Sequence, residues 1–283
     1  MWIDVALDHA TAKNLRPKVW IAVDVLRATS VMTTFLAEGG TSLYMTADVE
    51  EARKLQRKFN LLAMGEQFAK PIEGFDFDNS PLALLRAKNK LKGRAGVHST
   101  SNGTKLVKLL TSCGGTVLAG SFLNLSACVA RAAWLLKSGA SLEPRAAEPK
   151  HLGSDGLVHN DDPDGIVIAC AGRAGMPILD DTYLAGVLVE RLRMLFPNAE
   201  LRDGSRIAQA VRRALPVKEA FQKSESGQVM AALGLEDEIL FCAREDVYSC
   251  VPQAGFEGEH LVMRAADRDE EYAEAEAEQL TRS

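Results

Sequence analysis

Hydrophobic and polar positions follow two alternating rhythms along the chain. Short apolar runs rich in β-branched residues, such as "VWIAVDVL" at 19–26, are followed by stretches with a period near 3.6. "RATSVMTTFLAEGG" at 27–40 is the first such helix, closed by Gly39 and Gly40. "TSLYMT", "LLAMGE", "RAGVHS", "GTVLAGS" and "GIVIACAG" read as further strands. "ADVEEARKLQRKF", "NGTKLVKLLTS", "LNLSACVARAAWLLKSG" and "DDTYLAGVLVERLRMLF" read as helices, the last capped by Asp180 or Asp181. Pro81 starts another helix, with Asn79 or Ser80 as its N-cap. Residues 203–241 read as several short helices, and "VYSCVPQA" as a late strand.

Strands alternating with helices predict an α/β fold, with a largely parallel or mixed sheet and helices on both faces. Two α/β lobes are expected, 1–140 and 165–265, the first carrying most site loops. Residues 141–164, rich in proline, glycine and charge, read as an exposed insertion or linker, and 266–283 as a frayed acidic tail. At roughly 150 residues per domain, the 283 residues agree with about two units.

Composition removes several functional classes. The net charge is −5 and no basic block stands out, which argues against a nucleic-acid partner. The five cysteines are widely spaced, odd in number and without a CxxC, as in reduced cytoplasmic proteins. No secretory signal and no run of about 18 apolar residues is present, so neither secretion nor a membrane span is expected. GxSxG, GxGxxG, HExxH and the Walker A spacing are all absent.

In a parallel sheet the loops after the strands' carboxyl ends converge. Here they hold Asp24–Ser30, Gly65–Ser80, Ser99–Thr104 and Ser121–Asn124. Asp24 interrupts an apolar strand and requires a partner, either Arg27 three residues on or a cation. Glu66 and Asp76 start no helix, and carboxylates from separate loops suit Mg2+. Asp78, Asn79 and Ser80 serve equally as turn and cap residues. Ser101, Asn102, Gly103 and Thr104 stand where a helix begins, offering hydroxyls and N–H groups to an anion, and Ser121 and Asn124 repeat the theme. Asp180 and Asp181 cap a helix or join the site. A hard metal ion beside an anion cradle is the constellation for phosphoryl chemistry.

Taken in order, "VDVLRATS", "GE" followed by "IEGFDFDNSP", "TSNGT", "GSFLN", "CAG.AG...LDDTYLAG" and "EDEILFCAREDVYSCVP" resemble the 2-phosphosulfolactate phosphatase family, the ComB-like proteins of coenzyme M biosynthesis. The resemblance covers about residues 19–252. It implies an α/β phosphoric monoester hydrolase that uses Mg2+ to convert 2-phosphosulfolactate to sulfolactate and phosphate. It departs from the family at Gln67, where an arginine is usual, at Ser226, where a histidine is usual, and at Arg173.

The expected catalytic set is Asp24, Glu66 and Asp76, with Asp180 joining them as metal ligands. Arg27, Asn79, Ser80, Ser101–Thr104, Ser121 and Asn124 are the expected contacts to a small anionic phosphate ester. Direct attack by water and an aspartyl-phosphate at Asp24 both remain open. So do a phosphatase for another phosphorylated acid, a non-catalytic anion-binding homologue, and a homo-oligomeric assembly.

Overall fold

The computed structural model describes residues 1–67, 70–138 and 164–267; the expected linker to residue 163 and the tail from 268 lie outside the described residues. The chain opens with β1 (Trp2–Ala6), α1 (His9–Ala12), β2 (Val19–Val23), α2 (Ala28–Ala37), β3 (Leu43–Met45) and α3 (Val49–Phe59). It continues through β4 (Leu62–Gln67), β5 (Lys70–Pro71), α4 (Pro81–Arg86), α5 (Lys88–Leu91), β6 (Gly96–Ser99), α6 (Gly103–Ser112) and β7 (Thr116–Gly120). After a 3-10 turn at Phe122–Asn124 come α7 (Leu125–Lys137), β8 (Gly165–Cys170), α8 (Leu179–Leu195), β9 (Glu200–Leu201) and α9 (Asp203–Ala214). Three short helices follow, α10 (Val217–Lys223), α11 (Glu225–Ala232) and α12 (Glu236–Cys242), and then the strands β10 (Pro252–Glu257) and β11 (His260–Ala265).

All the strands join one mixed sheet in the order β5-β4-β6-β3-β11-β10-β7-β2-β8-β1-β9. One parallel block is β7-β2-β8-β1-β9, and a second is β4-β6-β3. The antiparallel hairpin β10–β11 joins them, pairing Gln253 with Leu118 on one side and Val262 and Met263 with Tyr44 and Leu43 on the other. Residues 1–140 and 165–265 therefore share a sheet. The blocks divide instead at 43–99 against the rest, because β8 inserts between β2 and β1. β1 and β11 were not foreseen from the sequence.

The apolar run of β2 follows from its place. Val19, Ile21 and Val23 enter the core on one face, while Trp20 and Ala22 enter the core on the other. β8 does the same with Ile166, Ile168 and Cys170 against Val167 and Ala169. α2 is buried along Ala28–Leu36, on every side, and packs on α4, β7, β10 and β11. A helix enclosed in this way carries no polar stripe. Its Thr33 and Thr34 instead return their hydroxyls to the carbonyls of Thr29 and Ser30. Among the described residues no helix is long and apolar enough to cross a membrane.

Ser121 and Asn124, expected at the substrate, are an internal lock. Asn124 Oδ1 accepts from the Ser121 N–H and hydroxyl, both at 2.9 Å, and its Nδ2 donates to the carbonyls of Ala119 and Cys250. Both side chains are fully buried. Their polar atoms are used up in joining β7 to the segment that leads into β10, which leaves none for a ligand. Asn124→Ala strands several buried groups and should lower stability by about 3 kcal/mol, measured by urea unfolding.

Candidate active site

Asp24 leaves β2 at its carboxyl end, where two helices begin. Its Oδ1 accepts from the Ala28 N–H at 3.3 Å, its carbonyl accepts from the Thr29 N–H and hydroxyl, and the Gly103 N–H also supports the carboxylate. The N-termini of α2 and α6 thus both face this one side chain. Burial still dominates, pushing the Asp24 carboxyl up to about 6 against those N–H groups. The charge of Glu66 raises it further, and Arg27 opposes the rise.

β8 runs beside β2, so the loop after it delivers its carboxylates to the same place. Asp180 and Asp181 stand in the first turn of α8, whose N-cap is Ile178. Both are buried, and neither is the N-cap of α8. Asp181 Oδ1 accepts from the Val25 N–H at 3.0 Å and Oδ2 from the Gly172 N–H at 3.1 Å, tying the two loops together. Neither oxygen of Asp180 makes a hydrogen bond of good geometry, and the nearby N–H groups of Asp180 and Asp181 oppose the cost of its burial. The nearby Ser224 hydroxyl donates instead to the Phe221 carbonyl. Burial, and then the charge of Asp24, raise the Asp180 carboxyl to about 7. Burial and both neighbouring aspartates hold Asp181 well above the usual carboxylate range.

Glu66 arrives from the other parallel block. Gly65 before it has φ +149°, and a Cβ there would lie 1.9 Å from the Ser99 carbonyl oxygen, so only glycine permits this approach of β4 to β6. Glu66 Oε1 then accepts from the Ser101 N–H at 2.9 Å. Two residues on, a Cβ on Gly103 would stand 2.7 Å from Asp24 Oδ2 and 2.6 Å from the Ala28 Cβ. Gly103 is therefore what lets α6 close on Asp24. The expected anion cradle is in part filled by the protein's own carboxylates. Thr104 turns its hydroxyl to Thr100, at 3.0 Å. Asn102 makes no cap bond with its side chain and is half-buried, so its amide is free for a ligand.

The cluster 76–80 divides. Asp76, expected as a metal ligand, is exposed, and its Oδ2 accepts from the Ala63 N–H at 2.8 Å and from Gln56 at 3.2 Å. It pins its loop along the middle of β4, where the Ala63 N–H lies beyond the short pairing with β5 and donates to this carboxylate instead. Asn79 Oδ1 bonds the Nε2 of buried His98 at 2.9 Å, and burial lowers His98 to about 3, which keeps it neutral. Ser80 caps α4 by accepting from the Ala83 N–H at 2.9 Å, and its hydroxyl also meets Glu238 Oε1. Arg27 is buried, forms no ion pair among the described residues, and leaves Nη1 without a partner. Sequence reasoning missed Glu238, which hides in the acidic run "EDE" that opens α12.

Among the described residues, no three His, Cys, Asp or Glu side chains are drawn together tightly enough to form a ready metal cage. Mg2+ needs only one or two protein carboxylates and keeps several waters. The buried oxygens of Asp180, which make no hydrogen bond of good geometry, fit that requirement beside Asp24, with Glu66 at the edge.

Asp24 and Asp180 bind protons more tightly in the folded protein than in the unfolded chain. Their contribution to stability is therefore present below about pH 4 and is lost as pH rises through about 6 to 7. In EDTA, Asp180→Asn should melt on the order of 5 °C above wild type at pH 8, with the gap closing toward pH 5; calorimetry across pH checks it. Mg2+ should stabilise wild type more at pH 8 than at pH 5, because ligation needs the ionised carboxylates.

Comparison with known proteins bears on the same loops. The family model described as 2-phosphosulpholactate phosphatase matches residues 6–255, which takes in Asp24, Glu66, Asp180 and Glu238. A protein of Thermus thermophilus described as a probable 2-phosphosulfolactate phosphatase is 35% identical over 252 residues, covering 88% of this chain and 94% of its own length. Proteins with the same description from Thermotoga petrophila and Thermotoga maritima are 33% and 32% identical over the same span. With every loop of the carboxylate cluster inside the matched region, the chain belongs to the 2-phosphosulpholactate phosphatase family.

Proposed function

We propose that this protein is a Mg2+-dependent phosphatase that hydrolyses 2-phosphosulfolactate to sulfolactate and inorganic phosphate. The observation that carries the reading is Asp180. It is a fully buried carboxylate, raised to about 7, with no hydrogen bond of good geometry on either oxygen and the charge of Asp24 near it. Such an arrangement is costly unless a cation occupies it. Family membership, and relatives described as probable 2-phosphosulfolactate phosphatases, support the choice of substrate.

Asp24 and Asp180 would hold the ion, with Glu66 beside them. When bound, Mg2+ supplies charge neutralisation for the phosphate and acidifies a water. The residues do the rest. Asp24, about 6 and half-buried, is largely ionised at neutral pH and can take a proton from the attacking water. Asp181 fixes the loops that carry Asp24 and Asp180 through its bonds to Val25 and Gly172. The substrate bears a carboxylate and a sulfonate besides its phosphate. Arg27, with its free Nη1 donor, and the uncommitted amide of Asn102 are the groups that receive them.

The test is phosphate release from 2-phosphosulfolactate with Mg2+ and with EDTA. Wild type should turn over only with the metal. Asp24→Asn should lose about 10^3-fold or more in kcat, whereas Asp76→Asn should stay within about threefold and mainly lower the melting temperature. Release from other phosphorylated acids but not from this one would move the substrate assignment. Equal loss in both variants would remove the distinction drawn between the two aspartates.

A further inference from the structure

His98 is fully buried near the carboxyl end of β6. Its Nε2 lies 2.9 Å from Asn79 Oδ1, and its Nδ1 is buried without a partner. Burial lowers the ring to about 3, so it is neutral at physiological pH and carries one proton. Were Nε2 the acceptor, that proton would sit on Nδ1 as an orphaned buried donor. With the proton on Nε2, His98 donates to Asn79 Oδ1 and only a lone pair goes unused, which is the cheaper omission. The imidazole therefore fixes which way round the Asn79 amide stands.

The backbone on both sides of Asn79 is pinned. Phe77 bridges Met64 in parallel, and its carbonyl accepts from the Gly65 N–H at 3.3 Å. The chain thus leaves Phe77 toward the end of β4 that carries Glu66. Ser80 then caps α4 at the Ala83 N–H. His98 is paired with Met64 and Ser99 with Gly65, and Ser101 gives its N–H to Glu66 at 2.9 Å. Two residues further on, Gly103 closes on Asp24. Asn79 therefore leans on the strand end from which the loop to Asp24 departs.

Asn79 is 5% exposed and spends its oxygen inside the protein. Its Nδ2 has no partner among the described residues and, unlike His98 Nδ1, is not sealed from solvent. We infer that His98 is a positioning residue: by donating from Nε2 to Asn79 Oδ1, it turns the Asn79 Nδ2 donor outward at the Glu66 end of β4, to bind an anionic oxygen of the ligand. The inference rests on the phosphatase reading only for the identity of that anion. The alternative is that the pair merely ties the segment before α4 to β6, in which case breaking it costs stability and leaves affinity unchanged.

The test is a double-mutant cycle on His98→Met, which removes the donor, and Asn79→Ala, with His98→Gln as the conservative variant whose amide nitrogen replaces Nε2. Two readouts are taken with Mg2+ present: the Kd of inorganic phosphate by calorimetry, and KM and kcat for 2-phosphosulfolactate. His98→Met should weaken Kd and KM about tenfold while kcat moves less than about threefold, and it should cause no further loss in the Asn79→Ala background. His98→Gln should stay within about threefold of wild type in Kd. Melting temperatures establish which variants are folded. If His98→Met does not fold, Asn79→Asp decides: it keeps an acceptor for Nε2, replaces the outward donor, and should bind phosphate at least about tenfold more weakly. Unchanged affinity in folded His98→Met or Asn79→Asp, additive losses in the cycle, a His98→Gln as weak as His98→Met, or no phosphate binding by folded wild type would overturn the inference. A wild type that shows the coupled phosphate cycle but does not hydrolyse 2-phosphosulfolactate would remove the substrate assignment and leave the role of His98 supported.

Discussion

The burial of Asp24, Asp180 and Asp181 against one another is the constraint around which the rest is built. Removing one carboxylate from water is unfavourable, and removing three to the same place is more so. The fold lowers the cost with N–H groups. Val25 and Gly172 take both oxygens of Asp181, while α2 and α6 each direct an N-terminus at Asp24. Asp180 is the least compensated of the three, with no hydrogen bond of good geometry on either oxygen. The proposed Mg2+ would relieve the repulsion that the scaffold tolerates there.

Meeting this constraint dictates the scaffold. β2 and β8 must be neighbours so that their loops share the cluster, and this separates the first strand from the second in the sheet. α2 must begin at Asp24 and so runs through the interior, enclosed on every side. Glu66 and Ser101 belong to the other parallel block, and they reach Asp24 because α6 starts between the two and crosses to β7. Glycine at 65 and 103 is the local condition for that closeness, since any side chain would meet backbone or carboxylate.

Much of this was readable in the residues. Asp24 within an apolar run, Gly65-Glu66 after a strand and the hydroxyl-rich start of α6 all carry a local signal, and the structure brings them together. What failed were the residues whose partners lie far off in the chain. Asp76 sits in a cluster dense with oxygen ligands, yet its carboxylate is taken by the Ala63 N–H of β4, which periodicity does not reveal. Asn124 resembled a ligand contact because Cys250, 126 residues away, was not available to claim its amide. Glu238 resembled the ordinary acidic start of a helix, as exposed Glu236 and Asp237 are. β1 escaped because Asp4 interrupts a run of only five residues, and a strand so short is fixed by its neighbours more than by its own pattern.

The position of β1 has a bearing on how fast the molecule folds. Both of its partners, β8 and β9, begin 160 residues or more after it in the chain. The hairpin that joins the two parallel blocks comes after both of them. The sheet therefore closes through long-range pairings, and such pairings form slowly because the intervening chain must be ordered before they reward it.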